Sequence, residues 1–130
     1  MTKFYEEEMD TQGNYIYKYF DDYFIESKRK ALFIKYSGKL VGFIMINNYS
    51  YIGQKPDYVL AEFPIFPSFR KRGIAQQAIN LVFTQYPGKW ELKFNLKNKS
   101  AMRFWLKSTK VFKPKVYKLE DNEQVLTFRT

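Results

Sequence analysis

The sequence predicts a mixed α+β fold, with a central, mostly antiparallel sheet, helices on both faces and one parallel crossover. Three observations carry this reading. Runs rich in β-branched and aromatic residues come in pairs around short polar turns. Other runs place apolar residues three and four positions apart, as one helical face requires. One such helical run joins two strand-like runs, and a parallel pair of strands needs a crossover of that kind. The chain of 130 residues fits a single domain, 1–130. With 45% hydrophobic and 20% aromatic residues it has ample material for a core, which argues against disorder.

Taken in order, Ile16, Tyr19, Phe20, Tyr23 and Phe24 line up at helical spacing, predicting a helix from Asn14 to Glu26. The residues before it, including Glu6-Glu7-Glu8, form either a short helix or a loose arm. Ala31–Tyr36 and Leu40–Ile46 flank Ser37-Gly38-Lys39 and read as a hairpin. Asn47–Pro56 is loop-like. Tyr58–Phe66 is a further strand, although Pro64 cannot donate to a ladder and marks a bulge, an edge or a place where the sheet separates. Ile74–Gln85 is a helix with Ile74, Ala75, Ala78, Ile79, Leu81 and Val82 on one side, ended by Pro87-Gly88. Trp90–Leu96 is a strand. Asn98 caps a short helix bearing Ala101, Met102, Trp105 and Leu106. Val116–Leu119 and Val125–Phe128 flank a polar turn and close the chain with a hairpin.

Composition excludes several chemistries. The chain has no cysteine and no histidine. That removes disulfides, zinc–thiolate sites, cysteine nucleophiles and the Ser-His triad. Acid–base work falls to Asp, Glu, Tyr, Lys or solvent. No apolar run approaches the roughly 20 residues that cross a bilayer, and the N-terminus lacks the layout of a signal peptide. A cytoplasmic protein with no membrane partner is the natural expectation. The net charge of +9 calls for an anionic partner, or else for nothing more than a lysine-rich solubilising surface.

The sharpest motif is Phe69-Arg70-Lys71-Arg72-Gly73-Ile74-Ala75, between a strand and a helix. A helix N-terminus offers free N–H groups and the positive end of its dipole to an anion. Gly73 lets the backbone approach a phosphate, since it has no Cβ. The bland reading of Arg70-Lys71-Arg72 is a solvated loop.

Arg-x-x-Gly-x-Ala after a strand resembles the pyrophosphate loop of the GNAT acetyltransferase superfamily, whose members bind acetyl-CoA. The resemblance spans Gly38 to Leu106. It includes Gly38-Lys39-Leu40-Val41-Gly42-Phe43, similar to the hairpin before the family's cofactor strand. It also includes Asn98 to Trp105, similar to a later segment with Asn, Ala, Phe and usually Tyr.

The resemblance implies a GNAT-like sheet whose cofactor strands splay apart, acetyl-CoA as cosubstrate and an amine as acceptor. It implies that the backbone of Ile65 and Phe66 pairs with the pantetheine amides. The N–H groups from Arg70 to Ala75, that is Arg70, Lys71, Arg72, Gly73, Ile74 and Ala75, would hold the pyrophosphate. Asn98 would line the cofactor cleft, a role that coexists with an ordinary N-cap. Trp105 stands where many members carry a tyrosine acid. An indole N–H is no practical acid, and core packing is the plain reading of Trp105.

Acetylation needs a neutral amine, whereas a lysine-like amine, with a pKa of about 10.4, is mostly protonated at pH 7. Glu62 is the candidate base. It sits three residues before Ile65 in an apolar run, and burial raises a carboxylate's pKa. The alternative is that Glu62 points outward or pairs with a lysine. The acceptor side is expected at the first helix and the Asn47–Pro56 loop; Tyr15, Tyr19, Tyr23, Tyr49, Tyr51 and Tyr58 are candidates to line it, and core or rim packing is the plain reading of most of them.

Three functions remain open from the sequence. The leading one is an N-acetyltransferase, monomeric or homodimeric, with no nucleic-acid partner. The others are a nucleic-acid-binding module and a GNAT-like protein that binds acetyl-CoA without turnover. The acceptor's identity is not legible.

Overall fold

A computed structural model describes the backbone of residues 2–9, 14–21, 29–64 and 73–130, and the side chains of 29–64 and 73–130. The described residues fall into two compact units. The first lies within Met1–Asn47 and Ala61–Leu81, the second within Asn48–Leu60 and Val82–Thr130.

The first unit holds an antiparallel meander of β1 (Thr2–Met9), β2 (Asn14–Asp21), β3 (Lys30–Tyr36) and β4 (Lys39–Asn47), neighbours in that order. The β3–β4 turn is Ser37-Gly38, with φ of 52° and 78°. Two left-handed residues in a two-residue loop match the twist of the strands they join. Along β4, Val41, Ile44 and Ile46 are buried. The period of two breaks at Val41 and Gly42, both buried, where the register slips between Ile34↔Gly42 and Lys35↔Leu40. An extra residue there makes a bulge. Opposite, Ala31, Leu32 and Ile34 of β3 are also buried.

Two expectations fail in this unit. Asn14–Asp21 is strand β2, not a helix, and Glu6-Glu7-Glu8 lies in strand β1. The helix reading's remainder, residues 22–26, lies outside the described residues. The segment Tyr15-Ile16-Tyr17-Lys18-Tyr19-Phe20 carries β-favouring residues at nearly every position, so helical and strand periods both fit it. Pairing resolves the ambiguity: Tyr15↔Lys35, Ile16↔Ile34 and Tyr17↔Phe33 on one side, Glu7↔Tyr17 and Glu8↔Ile16 on the other.

β5 (Tyr58–Glu62) and α1 (Ile74–Gln85) each contribute to both units. The strand expected to reach Phe66 stops at Glu62, two residues before Pro64, whose missing N–H ends a ladder. α1 has the expected bounds. It buries Ile74, Ala78, Ile79, Val82 and Phe83 and exposes Asn80, which accepts from Gln76 Nε2 at 2.8 Å.

In the second unit the order is β5-β6-β8-β7, with β6 (Lys89–Asn95), β7 (Lys115–Lys118) and β8 (Glu123–Arg129). β5 and β6 are parallel, Tyr58↔Trp90 to Leu60↔Leu92, as the crossover through α1 demands. β6–β8 and β7–β8 are antiparallel. The terminal hairpin turns through Asp121 and Asn122, both at positive φ. α2 (Lys99–Thr109) packs against β6 and runs into a 3₁₀ turn at Lys110–Phe112. Trp90, Leu92, Phe94, Val125 and Leu126 form the core, with Phe83, Tyr58 and Phe128 in edge-on or tilted ring contacts around it.

The class is therefore the expected one: a mixed α+β fold with a mostly antiparallel sheet, a parallel crossover and flanking helices. No helix among the described residues is long and apolar enough to cross a membrane.

Candidate functional site

The stretch from Glu62 to Ala75 joins the end of β5 to the start of α1, within the first unit. Past Glu62 the chain leaves the strand, and Phe43 N–H of β4 donates to the Pro64 carbonyl at 3.2 Å. Ile65, Phe66, Arg70, Lys71 and Arg72 lie outside the described residues. Description resumes at Gly73, which has φ of +71°. A Cβ there would meet no atom within 4 Å, so the glycine is required by backbone conformation and not by crowding.

Gly73 also starts α1: its carbonyl accepts from Gln77 N–H at 3.1 Å. The N–H groups of the first helical turn have no intrahelical acceptor. That turn carries no acidic side chain. The positive end of the dipole favours negative charge at this turn. Ile74 is buried and anchors the turn, while Ala75, half-buried, adds almost no bulk. In sequence, the cationic run Arg70-Lys71-Arg72 immediately precedes Gly73 and this turn.

Glu62 is exposed. Of the two readings left open, buried or pointing outward, the exposed one holds: Glu62 is the last residue of β5, and the flanking Ala61 is only half-buried. It ends the strand as an accessible carboxylate.

Asn98, in the second unit, caps α2: Ala101 N–H donates to its Oδ1 at 3.0 Å. Asn98 itself is exposed. Trp105 is buried and makes an edge-on contact with Phe104, centroids 4.7 Å apart, as core packing predicts. Leu106, expected on the same face, is 41% exposed.

Sequence reading missed Glu91. This carboxylate on β6 is 1% exposed. It accepts from Ser50 Oγ at 2.7 Å and from Tyr51 N–H at 2.5 Å. Ser50 Oγ in turn accepts from Ile52 and Gln54 N–H. The loop expected to border the acceptor is therefore pinned to a strand. The sequence signal was a lone acid in Trp90-Glu91-Leu92, between two core residues. Among the described residues there is no acidic cluster able to hold a metal ion.

A family model described as the Acetyltransferase (GNAT) family matches residues 1–109. The chain belongs to that family. No curated protein matches it in sequence. Solved structures match its fold at low identity. An acetyltransferase from Thermus thermophilus superposes with a TM-score of 0.63 at 13% identity, over 84% of this chain and 69% of that one. A GNAT family acetyltransferase from Elizabethkingia anophelis, solved with acetyl-CoA bound, gives 0.57 at 12% identity, over 84% and 80%. The ribosomal-protein-S18-alanine N-acetyltransferase from Escherichia coli gives 0.59 at 8% identity, over 80% and 70%.

Proposed function

We propose that this chain is an acetyl-CoA-dependent N-acetyltransferase that moves the acetyl group directly onto a primary amine. Family membership supports the class. The observation that supports the cofactor most is Gly73, left-handed and opening an acid-free helix turn immediately after Arg70-Lys71-Arg72.

In this reading the N–H groups from Arg70 to Ala75 take the pyrophosphate, and the three cations surround it with charge-assisted contacts. Ile65 and Phe66 pair through their backbone with the pantetheine arm beyond the end of β5. Asn98 is a second, separately testable cofactor contact. The thioester supplies an electrophilic acyl carbon and a thiolate leaving group. The acceptor nitrogen forms the new C–N bond as the C–S bond breaks. Glu62, accessible at the end of β5, takes the N–H proton directly or through one water. Trp105 supplies no acid. A thiolate with a pKa of about 8.5 takes its proton from solvent.

The test is thermal shift with acetyl-CoA, followed by turnover against a panel of primary amines. Ligand at about 100 times its Kd stabilises by roughly 2.7 kcal/mol. The expected result is a clear shift that Arg72→Glu weakens, and coenzyme A release that Glu62→Gln slows by about 10²-fold or more without moving the acetyl-CoA Kd. Binding without turnover on any amine would replace the transferase with a non-catalytic acetyl-CoA binder. No shift at all would sink both.

A further inference from the structure

The second unit contains a cavity of about 530 Å³, built from the residues just before β5, the start of β6, the 3₁₀ turn, β7 and the end of β8. Five cations line it: Lys55, Lys89, Lys113, Lys115 and Arg129. All five are exposed, and among the described residues none of them makes an ion pair. Like charges gathered this way repel one another unless an anion sits among them. The cations come from four separate segments of the chain, so they are not one solvated run; the fold gathers them.

The walls have a second character. Trp90, Phe112, Tyr117 and Phe128 line the same cavity. Phe112 lies nearly parallel to Phe128, 15° between planes and 5.7 Å between centroids, and both Phe112 and Tyr117 are half-exposed. Tyr117 is oriented by Gln54, whose Nε2 donates to its hydroxyl at 3.1 Å across the lining. The one acid in the lining, Glu91, has both oxygens turned to Ser50 and Tyr51, so it presents no competing acceptor. The cavity volume falls in the range of small-molecule sites, roughly 300–1,000 Å³.

We infer that this cavity is a second ligand site, separate from the Glu62–Ala75 stretch, that takes a nucleotide: phosphates on the lysine and arginine rim, the base against Phe112 and Tyr117. Charged head groups alone would need no ring-lined walls, and an apolar ligand would not need five cations. Aromatic stacking with backbone cations is the pattern by which proteins hold nucleotide units. Along the chain the two sites flank β5 on opposite sides: Gln54, Lys55 and Pro56 precede it, and the cationic motif follows it. The inference does not depend on the transferase reading.

The test is equilibrium binding of ATP, inorganic tripolyphosphate and a decathymidylate strand to the intact protein, by calorimetry at low and high salt. ATP is expected to bind at least about tenfold tighter than tripolyphosphate, since stacking of its base adds to the phosphate contacts. Lys89→Glu and, separately, Lys115→Glu should each raise the ATP Kd about tenfold without lowering Tm, because both side chains are exposed and each change relieves repulsion within the cluster. Arg72→Glu should leave ATP binding intact. If decathymidylate binds tighter than ATP and is lost in the same variants, the nucleotide comes from a strand; if ATP wins, it is free. Equal affinity for ATP and tripolyphosphate would overturn the nucleotide class. ATP binding that Arg72→Glu abolishes, or that is indifferent to both lysine variants, would overturn the site.

Discussion

Ser50 and Glu91, forty-one residues apart, are joined by a 2.7 Å hydrogen bond from the serine hydroxyl to a carboxylate that is almost wholly buried. The other carboxylate oxygen accepts from the Tyr51 backbone. A buried charge is tolerable only when its lone pairs are met. Here the partners that meet them also fix a loop: Lys93, two residues further along β6, places its Nζ 4.8 Å from the Tyr51 ring centroid and pairs with Glu123 at 3.0 Å. The Asn48–Pro56 segment is thus tied down near its midpoint by strand β6.

Glu91→Ala should therefore destabilise by about 2–5 kcal/mol, since it removes two hydrogen bonds to a charged group and strands two donors. Glu91→Gln should cost less, about 1–2 kcal/mol, because the amide oxygen still accepts one bond. Urea denaturation measures both, and amide exchange at Tyr51 should accelerate in each variant. A loss under about 0.5 kcal/mol for Glu91→Ala would mean that the carboxylate does not hold the loop.

Where the sequence was legible, local physics decided the structure. Gly73 and Pro87-Gly88 bracket α1 because one residue permits a positive φ and the other pair cannot continue a helix. Asn98 announces α2 because its side chain can meet an N–H of the first turn. The Ser37-Gly38 turn follows from Gly38, which adopts left-handed backbone at no cost, while Ser37 is held at positive φ by the hairpin it closes. Where reading failed, the deciding partner was distant. Tyr15 to Phe20 fits a helix or a strand, and pairing with the distant β3 on one side and β1 on the other selects the strand. Glu62 stands in an apolar run, yet it ends β5 and is exposed; Pro64 was the local sign of that end, but a proline in a strand can equally mark a bulge or an edge. Glu91 is buried because Ser50 and Tyr51 come to it, a pairing with no trace in adjacent sequence. Five cations from separate segments line one cavity for the same reason.

Gly88 should not accept a side chain. Its φ is +154°, and an added Cβ would lie 2.6 Å from Asp57 Oδ2. That oxygen accepts from Lys89 N–H at 2.8 Å, while Asp57 N–H donates to the Lys89 carbonyl at 2.9 Å. Gly88→Ala must displace the carboxylate and break the first of these bonds. The expected cost is about 1–3 kcal/mol in a thermal or urea melt. In an Asp57→Ala background the same change should cost at least about 0.5 kcal/mol less, since the clashing oxygen is gone. Full additivity would show that the contact does not limit the site.

Asn98 has two roles to separate. As the N-cap of α2, its loss in Asn98→Ala should lower stability by about 0.5–2 kcal/mol, and Asn98→Ser should restore it. Serine caps but lacks the carboxamide NH2. In the acetyl-CoA reading, Asn98→Ser therefore melts like the parent and binds acetyl-CoA about threefold to tenfold more weakly, a difference of about 0.7–1.4 kcal/mol. Equal affinity in the serine variant would leave Asn98 a cap and nothing else.

Gly73 separates backbone strain from ligand approach most cleanly. No atom lies within 4 Å of a Cβ built on it, so substitution creates no clash, and the stability cost comes from φ of +71° alone. For alanine in the left-handed region that cost is about 1–2 kcal/mol, and for asparagine, which visits the region routinely, it is smaller. In the acetyl-CoA reading the ligand meets a different obstacle: any side chain stands where the backbone of the first helical turn comes close to a phosphate. Gly73→Ala should thus lose both stability and acetyl-CoA affinity, whereas Gly73→Asn should keep most of its stability and still lose affinity, by about tenfold. Urea melts and calorimetry on the two variants give the four numbers needed. If affinity instead tracks stability across the pair, the glycine serves only the turn, and the phosphate is held elsewhere.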